Sequence, residues 1–285
     1  DLSPEWMTKI IARSHPGAKV SGVTKVGGSM GTSNRAVLEL QYAEGTGPRT
    51  VFAKTKGNWL RRVFQWMTEN AFIEGNLVLS GAALPLEHPA LYYGAVDRLR
   101  LNDMIIMEDV MPRGAKLNDA TRPLTVAEVA NGLRGLARLH SRYWRYTNEK
   151  EPSLKWVRPW NASRTFKFLV KLGCSRGIPR LRAHLPDEIA KMTPDAMVEF
   201  WARQTNAVNQ GAMTLLHGDA HVGNTYTLPN GELGFYDWGV IRKGHWSFDV
   251  GYFIISALEE DDRRQHAAAL VEEYRKALEI PESDR

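Results

Sequence analysis

Only one cysteine, Cys174, occurs in the 285 residues. A single thiol closes no internal disulfide and builds no cysteine zinc cage, so the chain reads as one working in a reducing, cytoplasmic setting. Long apolar runs are missing too: no stretch approaches the ~18 uninterrupted apolar residues that a membrane span needs. Internal repeats and low-complexity tracts are absent, which argues against solenoids and disordered arrays. Acidic residues vanish between Glu151 and Asp187, where Lys155, Arg158, Arg164, Lys167, Lys171, Arg176, Arg180 and Arg182 are all basic. The opening residues Asp1 to Glu5 show neither an initiator Met nor the basic-then-apolar profile of a signal peptide, which leaves room for sequence ahead of them.

What is present is ordinary for a globular protein: 43% hydrophobic and 24% charged residues, with a net charge of +5. Such a charge suits anionic metabolites as well as nucleic acid, but no RNA- or DNA-binding module is recognisable. Ser3-Pro4-Glu5 predicts a helix start, because Ser can cap free N–H groups and Pro is tolerated in the first turn. Arg35 to Tyr42 alternates with Ala36, Leu38, Leu40 and Tyr42 on one face and predicts a strand; Thr50 to Lys54 reads as its partner. A basic, aromatic connection from Trp59 to Trp66 leads to a predicted helix from Thr68 to about Ala83, with Thr68 as its cap. Asp103 to Met107 reads as a strand. Thr125-Val126-Ala127-Glu128 has the form of a capping box, and Val126, Val129, Leu133, Leu136, His140 and Tyr143 follow at helical spacing. Thr193-Pro194 opens another helix, Thr214 to Leu216 reads as a strand, and helices are expected near Phe248 to Leu258 and Arg264 to Leu278. The order is a small β-rich lobe with one helix followed by a larger helical lobe, with the join near Glu108 to Pro112. The expected fold class is α+β, divided at 1–108 and 109–285.

The densest chemistry lies in His217-Gly218-Asp219-Ala220-His221-Val222-Gly223-Asn224, followed by Tyr236-Asp237-Trp238-Gly239. An Asp with an Asn five positions later, and a further Asp beyond, matches the division of labour in phosphoryl transfer. One carboxylate orients and deprotonates a hydroxyl, and two hard oxygen donors hold Mg²⁺ against phosphate. The set resembles the HGD-x-H-x-x-N loop and later D-W element of the aminoglycoside, choline and ecdysteroid kinase-like phosphotransferases.

That resemblance implies a two-lobed, protein kinase-like fold, ATP and Mg²⁺ as cofactors, Asp219 as the catalytic base and Asn224 and Asp237 as metal ligands. Val51-Phe52-Ala53-Lys54 resembles the strand whose Lys grips the ATP α- and β-phosphates, and Glu74 is the carboxylate expected to hold it. The loop containing Gly27, Gly28, Ser29, Met30 and Gly31 is placed where backbone N–H groups cover phosphates. Met107, Glu108 and Val110 resemble the strand and hinge that bind adenine, through Glu108 C=O and Val110 N–H. Asp249 is expected to brace the catalytic loop, and His217 to be structural.

The acid-free basic stretch, with Trp156, Trp160, Phe166 and Phe168, is expected to lie over the acceptor. It points to an apolar or anionic hydroxyl compound, such as a steroid-like alcohol or a hydroxyacyl compound, rather than a cationic aminoglycoside or choline. No nucleic-acid, membrane or obligate protein partner is expected. Two other readings stay open: a nucleotide-binding pseudokinase, and a metallohydrolase using His217, Asp219 and His221.

Overall fold

A computed structural model describes residues 2–30, 33–119, 121–160 and 164–284. Helix α1 (Pro4–Ile11) starts as expected, with Ser3 Oγ accepting from Trp6 N at 3.2 Å. It buries Met7, Ile10 and Ile11 against Val20, Leu38, Leu40 and Ile106. Those residues sit on a sheet of strands β1 (Lys19–Met30), β2 (Ser33–Glu44), β3 (Thr50–Lys56), β4 (Leu91–Asp97) and β5 (Asn102–Glu108), antiparallel and ordered β1-β2-β3-β5-β4. The predicted alternation in β2 holds: Leu38 and Leu40 are buried, and Ala36 and Tyr42 pack beside them. Register sets Lys54 of β3 between Arg35 of β2 and Ile105 of β5.

The segment between β3 and β4 departs from expectation. Its basic, aromatic part is a helix, α2 (Trp59–Met67), capped by Asn58, whose side chain accepts from Arg61 N at 3.1 Å. Thr68, expected to start a helix, instead ends α2, and its backbone N–H donates to Phe64 O. After a turn in which Glu69 and Phe72 both adopt positive φ, helix α3 (Ile73–Ser80) begins without a side-chain cap. Propensity and capping signals gave no warning of this break, because tertiary packing of Ile73 and Leu77 in the main core sets where α3 begins. Strand β4, unremarked in the sequence, pairs with β5 and packs on α3, where Gly94 lies against Val78.

Beyond the two-residue strand β6 (Lys116–Leu117), the large lobe is built around α4 (Val126–Arg142), whose capping box forms in full. Helix α5 (Arg164–Leu181) packs with the single turn α6 (Asp187–Ala190) and with α7 (Pro194–Ala207), which Thr193 caps. Strands β7 (Met213–Leu216), β8 (Thr225–Thr227), β9 (Leu233–Phe235) and β10 (Arg242–His245) lead to α8 (Ser247–Ala257) and α9 (Glu260–Ala277). Leu133, Leu136 and Tyr143 of α4's buried face pack with Phe253, Ile254, Leu270 and Tyr274 in one core. Two small antiparallel sheets, β6-β8-β9 and β7-β10, carry the loops at 217–224 and 236–241. Among the described residues no helix is long and apolar enough to cross a membrane.

Candidate functional site

Lys54 Nζ lies 2.7 Å from Glu74 Oε2 and 2.7 Å from Asp237 Oδ1, bringing three sequence-predicted residues from β3, α3 and the 236–241 loop together. Lys54 and Glu74 are buried. Burial alone would strip the Lys54 charge, but the two carboxylates outweigh it and raise its pKa. Burial likewise disfavours the Asp237 anion, yet Lys54 and then Arg35 hold its carboxyl below the ordinary value. Glu74, deepest of the three, is pushed up by desolvation that Lys54 only partly offsets. Asp237 adopts the left-handed region at φ 63°, a conformation costing a non-glycine residue ~1–3 kcal/mol and one that clusters at functional sites.

The 217–224 loop is tied down from beneath. Asp249, fully buried on α8, accepts from His217 N at 2.7 Å and from Gly218 N at 2.9 Å. Its Oδ2 also lies 3.2 Å from His140 Nε2, and His140 Nδ1 lies 2.7 Å from Tyr274 Oη. Asp249 therefore braces the loop as the sequence suggested, while His140, read there only as a core position, completes the brace. Gly218 has φ 81°, and a Cβ there would sit 2.0 Å from Val240 O, so only glycine lets the two loops approach.

His217 joins the same loops. Its Nδ1 accepts from Asp219 N at 3.3 Å and its Nε2–H donates to Tyr236 O at 3.1 Å, which fixes a neutral tautomer. Burial lowers its pKa accordingly. With both ring nitrogens engaged, His217 has no lone pair for a metal, which argues against the metallohydrolase reading. Tyr236 adds two further stitches, N–H to Asn224 O at 3.0 Å and Oη–H to Gly223 O at 2.7 Å. Asn224 Nδ2 donates to Asp219 O at 3.0 Å and to Asp219 Oδ2 at 3.1 Å, leaving its amide oxygen without a donor among the described residues. His221 stands with Nε2 3.9 Å from Asp219 Oδ2.

Above these loops a cavity of about 290 Å³ separates the lobes. Lys54, Asp237, Met107, Glu108, Val110 and Ser29 line it, while Asp219 and Asn224 lie outside its walls. Val110 N–H makes no hydrogen bond among the described residues, whereas Glu108 N–H is taken by Ala90 O at 2.8 Å. Gly27 and Gly28 lie in β1 beside the cavity strand β2; Gly31 falls outside the described residues. Gly28 has φ 138°, and a Cβ there would meet Arg35 O at 2.1 Å.

The family model for ecdysteroid kinase-like proteins matches residues 84–280, well over half of the chain. This protein belongs to the ecdysteroid kinase-like family.

Among solved structures, the ecdysteroid kinase-like chain is similar to a spectinomycin phosphotransferase determined with ADP and spectinomycin. That match has 12% identity and a TM-score of 0.51, and covers 98% of this chain and 80% of that one. It is also similar to APH(2")-IIa in its gentamicin complex, with 16% identity and a TM-score of 0.50, over 96% of this chain and 83% of that one. No curated protein sequence matches it. These similarities establish the protein kinase-like, two-lobed fold.

Several members of the site escaped the sequence reading. Arg35 reaches Asp237 Oδ2 at 3.4 Å across 202 residues of chain. Asp109 ties down the segment after β5 by accepting from Thr50 Oγ1 at 2.8 Å and Met111 N at 3.1 Å. Tyr252 of α8 hydrogen-bonds Asp219, and burial together with that carboxylate raises its pKa. The aromatics of the basic stretch divide: Phe166 stacks on Trp201 at 4.4 Å, Trp160 lies 4.9 Å from Phe248, and Phe168 is exposed. Two of its cations are paired, Arg158 with Glu69 at 3.2 Å and Lys171 with Asp195 at 2.6 Å.

Proposed function

We propose that this chain transfers the γ-phosphate of ATP to a hydroxyl of a small molecule. The observation that carries this reading is the buried Lys54–Glu74–Asp237 cluster on the wall of the inter-lobe cavity, stitched through Tyr236 to the loop bearing Asp219 and Asn224. Met107, Glu108 C=O and Val110 N–H would hold the base of the nucleotide, and Gly27, Gly28, Ser29, Met30 and Gly31 would cover its phosphates. Lys54, locked by Glu74, would grip the phosphate chain. Asp219 takes the proton of the acceptor hydroxyl as its oxygen attacks the γ-phosphorus; the bond to the β–γ bridging oxygen breaks and ADP leaves. On this reading, residues 1–108 bind nucleotide and 109–285 supply the catalytic loop and acceptor surface.

The donor set suits a divalent cation. Two carboxylates share the Lys54 ammonium, and the amide oxygen of Asn224 accepts from no donor among the described residues. Asn224 and Asp237 are the residues that would hold Mg²⁺, which when bound neutralises phosphate charge.

For the acceptor, the basic, aromatic stretch favours an apolar or anionic hydroxyl compound, such as a steroid-like alcohol or a hydroxyacyl compound, over an aminoglycoside. ADP release across a panel of sterols, hydroxy acids, choline and kanamycin tests this. Turnover confined to kanamycin or choline overturns the acceptor class. Asp219→Asn is expected to cut turnover by about 10³-fold while sparing ADP binding, and unchanged turnover removes Asp219 as base.

A further inference from the structure

A second cavity, of about 730 Å³, lies on the far side of α3 from Lys54 and shares no lining residue with the inter-lobe cavity. Arg98, Lys155, Arg158 and Arg242 line it, against Glu69 as the one carboxylate among its described lining residues. Glu69 is taken by Arg158, and neither Arg98 nor Lys155 forms a salt bridge among the described residues. Arg242 is buried with neutral oxygen partners, Asn70 Oδ1 at 2.6 Å and Ile241 O at 2.9 Å, and desolvation lowers its pKa to about 10. The Glu69 carboxylate offsets that desolvation only in part, and it is shared with Arg158, so a ligand anion would supply the counter-charge the cavity is short of.

The cavity's other surface is apolar. Trp66, Met67, Phe72 and Trp156 contribute to it. Helix α2 buries no whole residue: Arg62 is half-buried, donating from Nε to Gly57 O at 2.8 Å, and Gln65 buries its amide oxygen. Trp59, Leu60, Phe64, Trp66 and Met67 are exposed. Trp66 and Met67 thus stand at the cavity with apolar surface that the chain itself leaves uncovered.

We propose that this cavity binds an amphiphilic anion, a sulfonate-, carboxylate- or phosphate-bearing molecule with a flat apolar body, independently of the nucleotide. Cations and aromatic faces line the same cavity, with Arg98 over the Phe72 ring at 5.5 Å, and together they match the two ends of such a ligand. The proposal deepens the acceptor reading above, but binding here does not depend on transfer: Asp219→Asn tests transfer, and a dye titration tests the cavity.

The probes are 1-anilinonaphthalene-8-sulfonate and N-phenyl-1-naphthylamine, the same ring system without the charge, titrated with and without saturating ADP. The sulfonate is expected to bind about tenfold more tightly than the neutral dye. Arg242 variants risk misfolding, so the test uses the exposed pair R98E/K155E, with melting temperature and ADP affinity as controls. This variant is expected to weaken sulfonate binding about tenfold and to move the neutral dye less than twofold. Equal affinity for the two dyes, indifference of the sulfonate to the charge reversal, or its displacement by ADP overturns the proposal. The anion's source is separated by ADP release with an acceptor from the panel. Competition between sulfonate and acceptor marks the anion as the acceptor's own end, and a changed kcat at constant KM marks a separate effector.

Discussion

Replacing Lys54 with methionine keeps the side chain's length and removes the ammonium that Glu74 Oε2 and Asp237 Oδ1 share at 2.7 Å each. Two carboxylates are then left facing one buried position. The deeper, Glu74, is expected to take up a proton rather than remain as an uncompensated buried anion. That response bounds the penalty. From the ordinary glutamate value of 4.5, protonation at pH 7 costs about 3.4 kcal/mol at ~1.36 kcal/mol per unit, consistent with the ~3–5 kcal/mol typical of a broken buried pair. The sign follows from linkage. A carboxyl whose folded pKa is raised holds a proton that the unfolded chain releases, so its contribution to stability is lost as pH rises from the unfolded value towards the folded one. Because Glu74 is already pushed up in the parent, the deficit of Lys54→Met should shrink by up to about 1.4 kcal/mol for each pH unit between 7 and 5. Urea unfolding at pH 5, 6 and 7 measures it, and adding Glu74→Gln should recover most of the loss at pH 7. A deficit that is independent of pH, or below about 1 kcal/mol at pH 7, refutes the shared-ammonium argument.

Two further substitutions probe the loops. Asp249→Asn keeps the shape but presents an amide donor to one of the two N–H groups the carboxylate now serves, and is expected to cost about 2–4 kcal/mol in thermal or urea unfolding. Its kcat should fall with ADP affinity held, because the loop bearing Asp219 loses its anchor; an unchanged melting curve counts against the brace. Gly28→Ala places a methyl where Arg35 O lies 2.1 Å away at φ 138°, so it should destabilise by about 1–3 kcal/mol. A fluorescent-nucleotide titration should show weaker binding as well, since the next residue of β1, Ser29, lines the cavity.

Helix starts with side-chain caps were legible locally, because Ser3, Thr125 and Thr193 act on N–H groups within three residues of themselves. The 217–224 and 236–239 motifs were legible for a related reason: the chemistry needs particular groups at fixed spacing, and one loop supplies most of them. Helix α2 was also there to be read, since Trp59, Leu60, Val63, Phe64 and Met67 recur at helical steps after the Asn58 cap; only the structure shows that most of this apolar face is left exposed. The start of α3 at Phe72 was hidden because no capping side chain marks it.

The sequence alone determined the capped starts of α1, α4 and α7, the alternation of β2, the family resemblance and the identity of the charged groups, because each of these rests on near neighbours along the chain. Tertiary structure alone decided which charges meet. Arg35 finds Asp237 across 202 residues, and His140 reaches both Tyr274 and Asp249 from the last turn of α4. Such pairings depend on how helices and strands pack, and the energy that selects them, burial of charge with a partner against burial without one, exists only once the fold has excluded water.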